Sequence, residues 1–269
     1  MTAEAAESAQ IAETSDASGP DTGIVITSIA ARPELASRLW DMEDSWPEFS
    51  VNDALGWLLY PRMVAEFPDH VWIATEGDEV IARAFSLPFA LHTEARGGVL
   101  PANGWDAVLM WAFSDQRRGV EPDTVSAIEI SVATDRQGEG LSARMLAAMR
   151  ESVRAAGFAE LVAPVRPSGK PAEPDTPMAE YAYRTREDGL PYDPWLRVHV
   201  RAGAVIDSVA PLSMTVSGSL AQWREWTGLP FDTAGPVQVP GALVPVHCEP
   251  ERGYAVYVEP NVWVRHPLG

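Results

Sequence analysis

Residues 132–146, V-A-T-D-R-Q-G-E-G-L-S-A-R-M-L, constrain the fold of this chain more than any other stretch. An alternating strand runs into a short glycine-rich turn, and a helix starts at once. Gly138 and Gly140 carry no Cβ, so the chain can turn tightly and bring its amides against a ligand. A helix N-terminus leaves N–H groups unpaired and forms the positive end of the helix dipole, so the segment reads as a cradle for a phosphate or pyrophosphate. Upstream, V-S-A-I-E-I-S-V places Ile128, Ile130 and Val132 on one strand face and Glu129 and Ser131 on the other. Downstream, Leu141, Met145, Met149 and Val153 recur at helical spacing, with Arg144, Glu151 and Arg154 opposite. Gly157 ends that helix, and a β-rich run over residues 158–165 follows. Strand, helix and strand this close together imply parallel strands joined by a right-handed crossover.

Two common phosphate-binding patterns do not fit the turn. The dinucleotide fingerprint needs three glycines at its own spacing, and the P-loop needs Lys-Ser/Thr after its last glycine. Gln137, Gly138, Glu139, Gly140, Leu141 and Ser142 instead resemble the motif of the GNAT superfamily, the acyl-CoA-dependent N-acyltransferases: Gln or Arg, two residues, Gly, one residue, then a small residue. The resemblance implies a mixed α/β (α+β) fold. Its sheet would be mostly antiparallel with a central splayed parallel pair, and helices would cover both faces. It also implies acyl transfer, with acetyl-CoA or another acyl-CoA as co-substrate, to a small-molecule amine by direct attack in a ternary complex. A non-catalytic acyl-CoA-binding protein of the same fold is the alternative. In such a fold residues 137–142 hold the CoA pyrophosphate, and the amides of Ile130, Ser131 and Val132 hold the pantetheine and the thioester carbonyl.

The resemblance carries over two catalytic candidates. Glu129 stands where many members place a general base; its other reading is a solvated or salt-bridged strand residue. Counting back from Gly203, His199 takes the place of the tyrosine that protonates the leaving thiolate. An imidazole can supply a proton near neutral pH, but a lone helix histidine is also a common structural residue. Tyr181 and Tyr183 are the fallback donors. Arg166 and Lys170 are read either as partners for CoA phosphates or a substrate carboxylate, or as solvated loop charges. Trp46, Trp57 and Trp111 are candidates for an acceptor pocket.

Composition sets the bounds. Residues 1–23 are almost free of large apolar side chains and read as a disordered acidic tail, leaving residues 24–269 as one domain; the family resemblance is clearest over 24–216 and looser beyond. Without the five carboxylates of the tail the formal charge falls only from −18 to −13, so the folded part is acidic in its own right. Nucleic acid is therefore an unexpected partner. The longest apolar run, residues 107–113, is too short to span a bilayer, and no signal peptide precedes it, so no membrane partner and a cytoplasmic location are expected. A homodimer is left open. One cysteine, Cys248, excludes an internal disulfide and reads as a buried apolar group, and no histidine or cysteine spacing calls for a metal.

The remaining elements are read from local pattern. A strand over 24–29 leads to a helix bearing Leu35, Leu39 and Trp40, then a helix over 53–67 and a hairpin from 71–74 and 80–91. Residues 105–113 read as helix or strand, with the second half strand-like or mixed. A proline-rich loop, 164–177, precedes helices over 176–187 and 194–202, a strand over 204–216, a helix over 219–227, and strands over 242–248 and 254–264.

Overall fold

The computed structural model describes residues 23–269, so the expected disordered tail lies, apart from Gly23, outside the described residues. The strands are β1 (Ile24–Ser28), β2 (Val71–Glu76), β3 (Glu79–Phe89), β4 (Thr124–Val132), β5 (Glu160–Val165), β6 (Val205–Ser219), β7 (Gly235–Val237), β8 (Val246–Glu249) and β9 (Tyr254–Pro267). The α-helices are α1 (Glu48–Val51), α2 (Ala54–Glu66), α3 (Gly104–Arg118), α4 (Leu141–Ala155), α5 (Met178–Tyr181), α6 (Pro194–Arg201) and α7 (Leu220–Thr227), and Pro33–Trp40 forms a 3-10 helix. All nine strands join one sheet in the order β1-β2-β3-β4-β5-β9-β8-β7, with β6 also paired to β9. Every pairing is antiparallel except β4 with β5.

Apolar periodicity decides which face each helix covers. Leu141, Met145, Met149 and Val153 form the buried stripe of α4, which joins Leu196 of α6 and Leu161 of β5 in one core. On the other face, α2, α3 and the 3-10 helix bury Met63, Leu109 and Leu39 against Phe85 and Phe89 of β3. A third cluster gathers Phe49, Trp223, Phe231 and Tyr257 around the C-terminal strands, and it includes Cys248, whose thiol is fully buried and pushed up in pKa by that burial. Side chains cap three of the helices: Asp53 accepts from the Gly56 amide at 2.6 Å, Asp193 from Trp195 and Leu196, and Ser219 forms a capping box with Gln222.

Four expectations need correction. Residues 105–113 are helical throughout, because Trp105, Val108, Leu109 and Ala112, at helical spacing, all pack into the core against β3. The helix expected over 176–187 is only the four residues of α5; beyond it the amide of Arg186 bonds to Leu190 and Thr185 bridges Pro191, folding the backbone into a tight turn at Gly189. The strand expected over 242–248 is only Val246–Glu249, and its partner β7, three residues long, has too little pattern to be read from sequence. In β4, a bulge against β3 falls at Ile128: Phe85 pairs with Glu129 and Ser86 with Ala127. The extra residue breaks the alternation, so Ile128 packs with the α2–α3 core, whereas Ile130 and Val132 pack with the α4 core.

The first turn of α3 lies tightly against β6. A Cβ on Gly104 would sit 2.2 Å from the Ser213 hydroxyl oxygen, and its φ of +32° also disfavours a side chain. Gly104→Ala should therefore lower stability by about 1–3 kcal/mol, read as a reduced urea midpoint at unchanged m-value. An unchanged midpoint would show that the contact relaxes without cost.

Candidate active site

The parallel pairing of β4 with β5 covers only Val125↔Leu161 and Ser126↔Val162. Beyond it β4 keeps to β3 and β5 keeps to β9, so the two strands part. Residues 128–132 of β4 then line a cleft of about 510 Å³, closed at one end by the glycine turn and on the far side by Pro194, Trp195 and Val198. Gly138 and Gly140 have φ of +86° and +78°, and a Cβ on either would meet nothing within 4 Å. Backbone conformation, not crowding, therefore calls for glycine at both positions. Gly140 is the N-cap of α4 and gives no side-chain cap, so the first-turn amides open onto the cleft, as an anion requires.

Of the predicted cradle residues, Ile130, Ser131, Val132, Gln137, Gly138, Gly140, Leu141 and Ser142 line this cleft. Glu139 does not; its carboxylate pairs with Arg136, which also binds Glu76 and so ties the turn to the end of β2. The Gln137 side chain donates to the Ser45 hydroxyl at 3.1 Å. Cleft shape, left-handed glycines and uncapped helix end together fit the pantetheine and pyrophosphate of CoA.

A second cavity, of about 680 Å³, lies on the α2–α3 side of the sheet. Its walls come from the 3-10 helix, the loop after it, α2, the first turn of α3, and β3, β4, β6 and β9. Asp44, Trp46, Ile128, Glu129 and Arg166 line both spaces, so donor cleft and cavity meet there. Of the three tryptophans offered as acceptor-pocket candidates, Trp46 and Trp57 line this cavity; Trp111 instead packs against Phe89 and beneath the Arg96 guanidinium.

Glu129 sits at the junction. It is 8 % exposed; its Oε1 accepts from Arg83 Nε at 2.9 Å and from the Ser131 hydroxyl at 2.7 Å. Arg83 also donates to Asp44 Oδ2 at 2.5 Å and to the Leu39 carbonyl at 3.2 Å. Trp46 Nε1 donates to the Ser131 hydroxyl at 2.9 Å. Tyr60 lies against the same carboxylate: burial first, then the Glu129 charge, pushes its hydroxyl well above the ordinary tyrosine value. Glu129 is thus salt-bridged, buried, and part of the wall between the two spaces.

His199 does not reach this site. The amphipathic turn of α6 sends Trp195 and Val198 to the cleft and buries His199, 2 % exposed, against the sheet. There its Nδ1 meets Nε2 of His266 at 2.9 Å, and its ring packs edge-on to Trp195. Burial, reinforced by His266, lowers its pKa to about 3, so it holds no imidazolium proton to give near neutral pH. The acid role read for His199 is corrected on both counts. Neither fallback tyrosine lines the two spaces: Tyr181 is buried with its hydroxyl donating to Asp193, and Tyr183 is exposed.

The two basic candidates are also internal. Lys170 is fully buried and its ammonium donates to the carbonyls of Glu173, Pro174 and Leu243, pinning the proline-rich loop. Arg166 pairs with Glu259 at 2.9 Å and donates to the Gly241 carbonyl, and its guanidinium lies over Trp46. Glu259 in turn accepts from Tyr257 at 2.7 Å and from Asn261 at 3.0 Å. Sequence reasoning missed Arg83, Asp44, Tyr60, Glu259 and Asn261. The signal was a lone charge inside an apolar strand, Arg83 within 80–91 and Glu259 within 254–264, because such charges are buried only when paired. Among the described residues no group of three or more His, Cys, Asp or Glu stands ready for a metal, and no helix is long and apolar enough to cross a membrane.

A cleft suited to CoA that opens into a second ligand cavity beside a buried carboxylate defines a CoA-dependent acyltransferase. No protein-family model matches the chain. It is 30% identical over 282 residues to arginine N-acetyltransferase avaD of Aspergillus versicolor, covering 91% of this chain and 94% of that protein. Among solved structures it resembles the loading GNATL domain of CurA from Lyngbya majuscula, at a TM-score of 0.57 and 17% identity over 91% of this chain and 98% of that one. It also resembles the GphF GNAT-like decarboxylase in complex with isobutyryl-CoA, at a TM-score of 0.52 and 16% identity over 91% of this chain and all of that one. These two structures speak to the fold alone. The chain belongs to the GNAT superfamily and is an acyl-CoA-dependent N-acyltransferase.

The buried histidines make stability pH-dependent. Burial holds His70, His199 and His266 at about 4, 3 and 4, below the ordinary 6.5. Between roughly pH 6.5 and 4 the unfolded chain binds protons that the native one refuses, so stability falls with pH at about 1.4 kcal/mol per unit for each histidine. Asp106, raised to about 7 by burial and by Asp53, acts with the opposite sign and offsets part of this. Chemical denaturation from pH 7 to 5 should give decreasing stability, with a shallower slope in His199→Gln; equal slopes would refute the assignment.

Proposed function

We propose that this protein transfers an acetyl group from acetyl-CoA to an amine of a small, positively charged amino acid or its derivative, with arginine the first acceptor to try. The observation that carries the reading is the junction at Glu129, where a cleft fitted to pantetheine opens into a separate cavity large enough for an amino acid. The relative's arginine supports the choice of acceptor. Four carboxylates against two guanidiniums in the cavity favour a cationic guest.

In this mechanism, the pyrophosphate lies on the amides of residues 138–142 and the pantetheine runs along residues 130–132. The free β4 amides donate to the thioester carbonyl and to the oxyanion that develops on it. The acceptor amine attacks directly from the cavity with no acyl-enzyme, and the serine at the junction, Ser131, serves as a hydrogen-bond donor to Glu129. Glu129 takes the amine proton, directly or through one water. The hydrogen bonds from Arg83 and Ser131 both fall on Oε1, and the Tyr60 hydroxyl lies against the same carboxylate. Arg83 and Ser131 hold the carboxylate in place. The thiolate takes its proton from solvent, because no tyrosine or histidine lines the cleft among the described residues.

Two measurements test this. Acetyl-CoA should raise the melting temperature in a concentration-dependent way, and Gly138→Val, which strains the left-handed turn, should weaken that effect at least about tenfold in apparent affinity. Absence of any CoA-thioester effect would remove the donor assignment. Glu129→Gln should lower kcat by about a hundredfold to ten-thousandfold in a free-thiol release assay while leaving acetyl-CoA binding in place. An unchanged kcat would exclude Glu129 as the base.

A further inference from the structure

The charges of the acceptor cavity do not balance within the protein. Of its four carboxylates, Asp44 and Glu129 share Arg83, and Glu259 has Arg166. Asp53 has no cationic side chain. It is 3 % exposed and is met only by backbone amides at the head of α2, among them Gly56 at 2.6 Å. Beside it, in the first turn of α3 and behind the residues that line the cavity, Asp106 is 7 % exposed; the Thr215 amide donates to its carboxylate, but its Oδ1 is buried with no hydrogen-bond partner. Asp106 lies within electrostatic reach of both Asp53 and Glu259. Burying a carboxylate without a cation is costly, and two neighbours repel each other. Helix capping accounts for the Asp53 oxygen bound to Gly56, but it explains neither Asp106 nor the pairing of the two.

The surroundings suit a flat cation. The point where a Cβ on Gly56 would sit is 3.1 Å from Cη2 of Trp105 and 3.3 Å from Oδ2 of Asp53, so carboxylate and indole flank the same glycine. Tyr60 packs against Trp105 at 6.1 Å between ring centroids. The Tyr60 ring lies 3.6 Å from the same point beside Gly56 and lines the cavity together with Glu129 and Asp53, which puts it between the junction and this corner. A guanidinium stacks on aromatic rings and forks to carboxylates.

We infer that this corner is a cation subsite, in which Asp53 binds the guanidinium or ammonium of the acceptor against the Trp105 ring and Asp106 stands behind it. The acceptor's charge favours the ionised form of Asp106, whose pKa otherwise lies at about 7. The inference rests on the acceptor reading above: the reacting amine lies at Glu129 and the charged end lies past Tyr60. It adds the residues that select the acceptor.

The test compares arginine with citrulline, its uncharged isostere, as acceptors for the full-length enzyme with acetyl-CoA. The wild type should favour arginine in kcat/KM by about tenfold to a hundredfold, the worth of hydrogen bonds to a charged group. Asp53→Asn keeps a competent helix cap and should bring that ratio toward one. Asp106→Asn is the second variant should the first not fold, with the same expectation. General destabilisation would lower both acceptors together and leave the ratio unmoved. A wild-type ratio near one, or a ratio unchanged in the folded variant, overturns the subsite while leaving N-acyl transfer intact. If no amine is acylated, the function reading fails separately, and calorimetric titration in the presence of CoA decides the subsite. Arginine bound at least about tenfold more tightly than citrulline supports it, and equal or absent binding overturns it.

Discussion

The site depends on one interruption of backbone pairing: β4 and β5 bond at Val125↔Leu161 and Ser126↔Val162, then part. A strand inside a sheet normally satisfies its amides on both sides. Here each strand keeps its outer neighbour, β3 or β9, and gives up the inner one, so the opening costs little beyond a few unpaired groups. Those groups line the donor cleft and are the ones a thioester and its pantetheine amides can bind. The uncapped start of α4 closes the same cleft with further free amides.

The bulge at Ile128 joins this opening to the second cavity. By adding a residue opposite β3, it turns Glu129 and Ser131 toward Arg83 and Trp46 while Ile130 and Val132 face α4. A buried carboxylate there is tolerated only because Arg83 compensates it, and Arg83 is itself shared with Asp44 and anchored on the Leu39 carbonyl. Removing either partner would leave a bare charge in a closed wall. The Arg166–Glu259 pair repeats the device from β5 and β9. The cavity between the two pairs is walled by segments as distant as Trp40 and Asn261.

The parts of the protein legible in its sequence share a local cause. Apolar spacing in α4 and glycines in the left-handed turn each act within a few residues, and each recurs in the structure where it was read. The readings that failed depended on distant partners. His199 has the right position relative to Gly203, but whether a helix residue faces cleft or core depends on the sheet packed against it; here that sheet offers His266. Residues 105–113 were ambiguous because either period fits so short a run, and packing on β3 and β6 selected the helix. Lys170 reads as a surface charge until the carbonyls of Glu173, Pro174 and Leu243 are seen to enclose it.

By itself, then, the sequence determined the glycine turn: residues 137–142 and the strand before them specify its backbone angles, and those are properties of a contiguous segment. The tertiary structure alone decided the acceptor side and the proton chemistry. Charged residues such as Arg83, Asp44 and Glu259 acquire their partners only when strands and helices far apart in the chain meet, and burial makes each charge count. A glycine turn carries its meaning locally, whereas a buried carboxylate takes its role from the cation beside it, or from the absence of one.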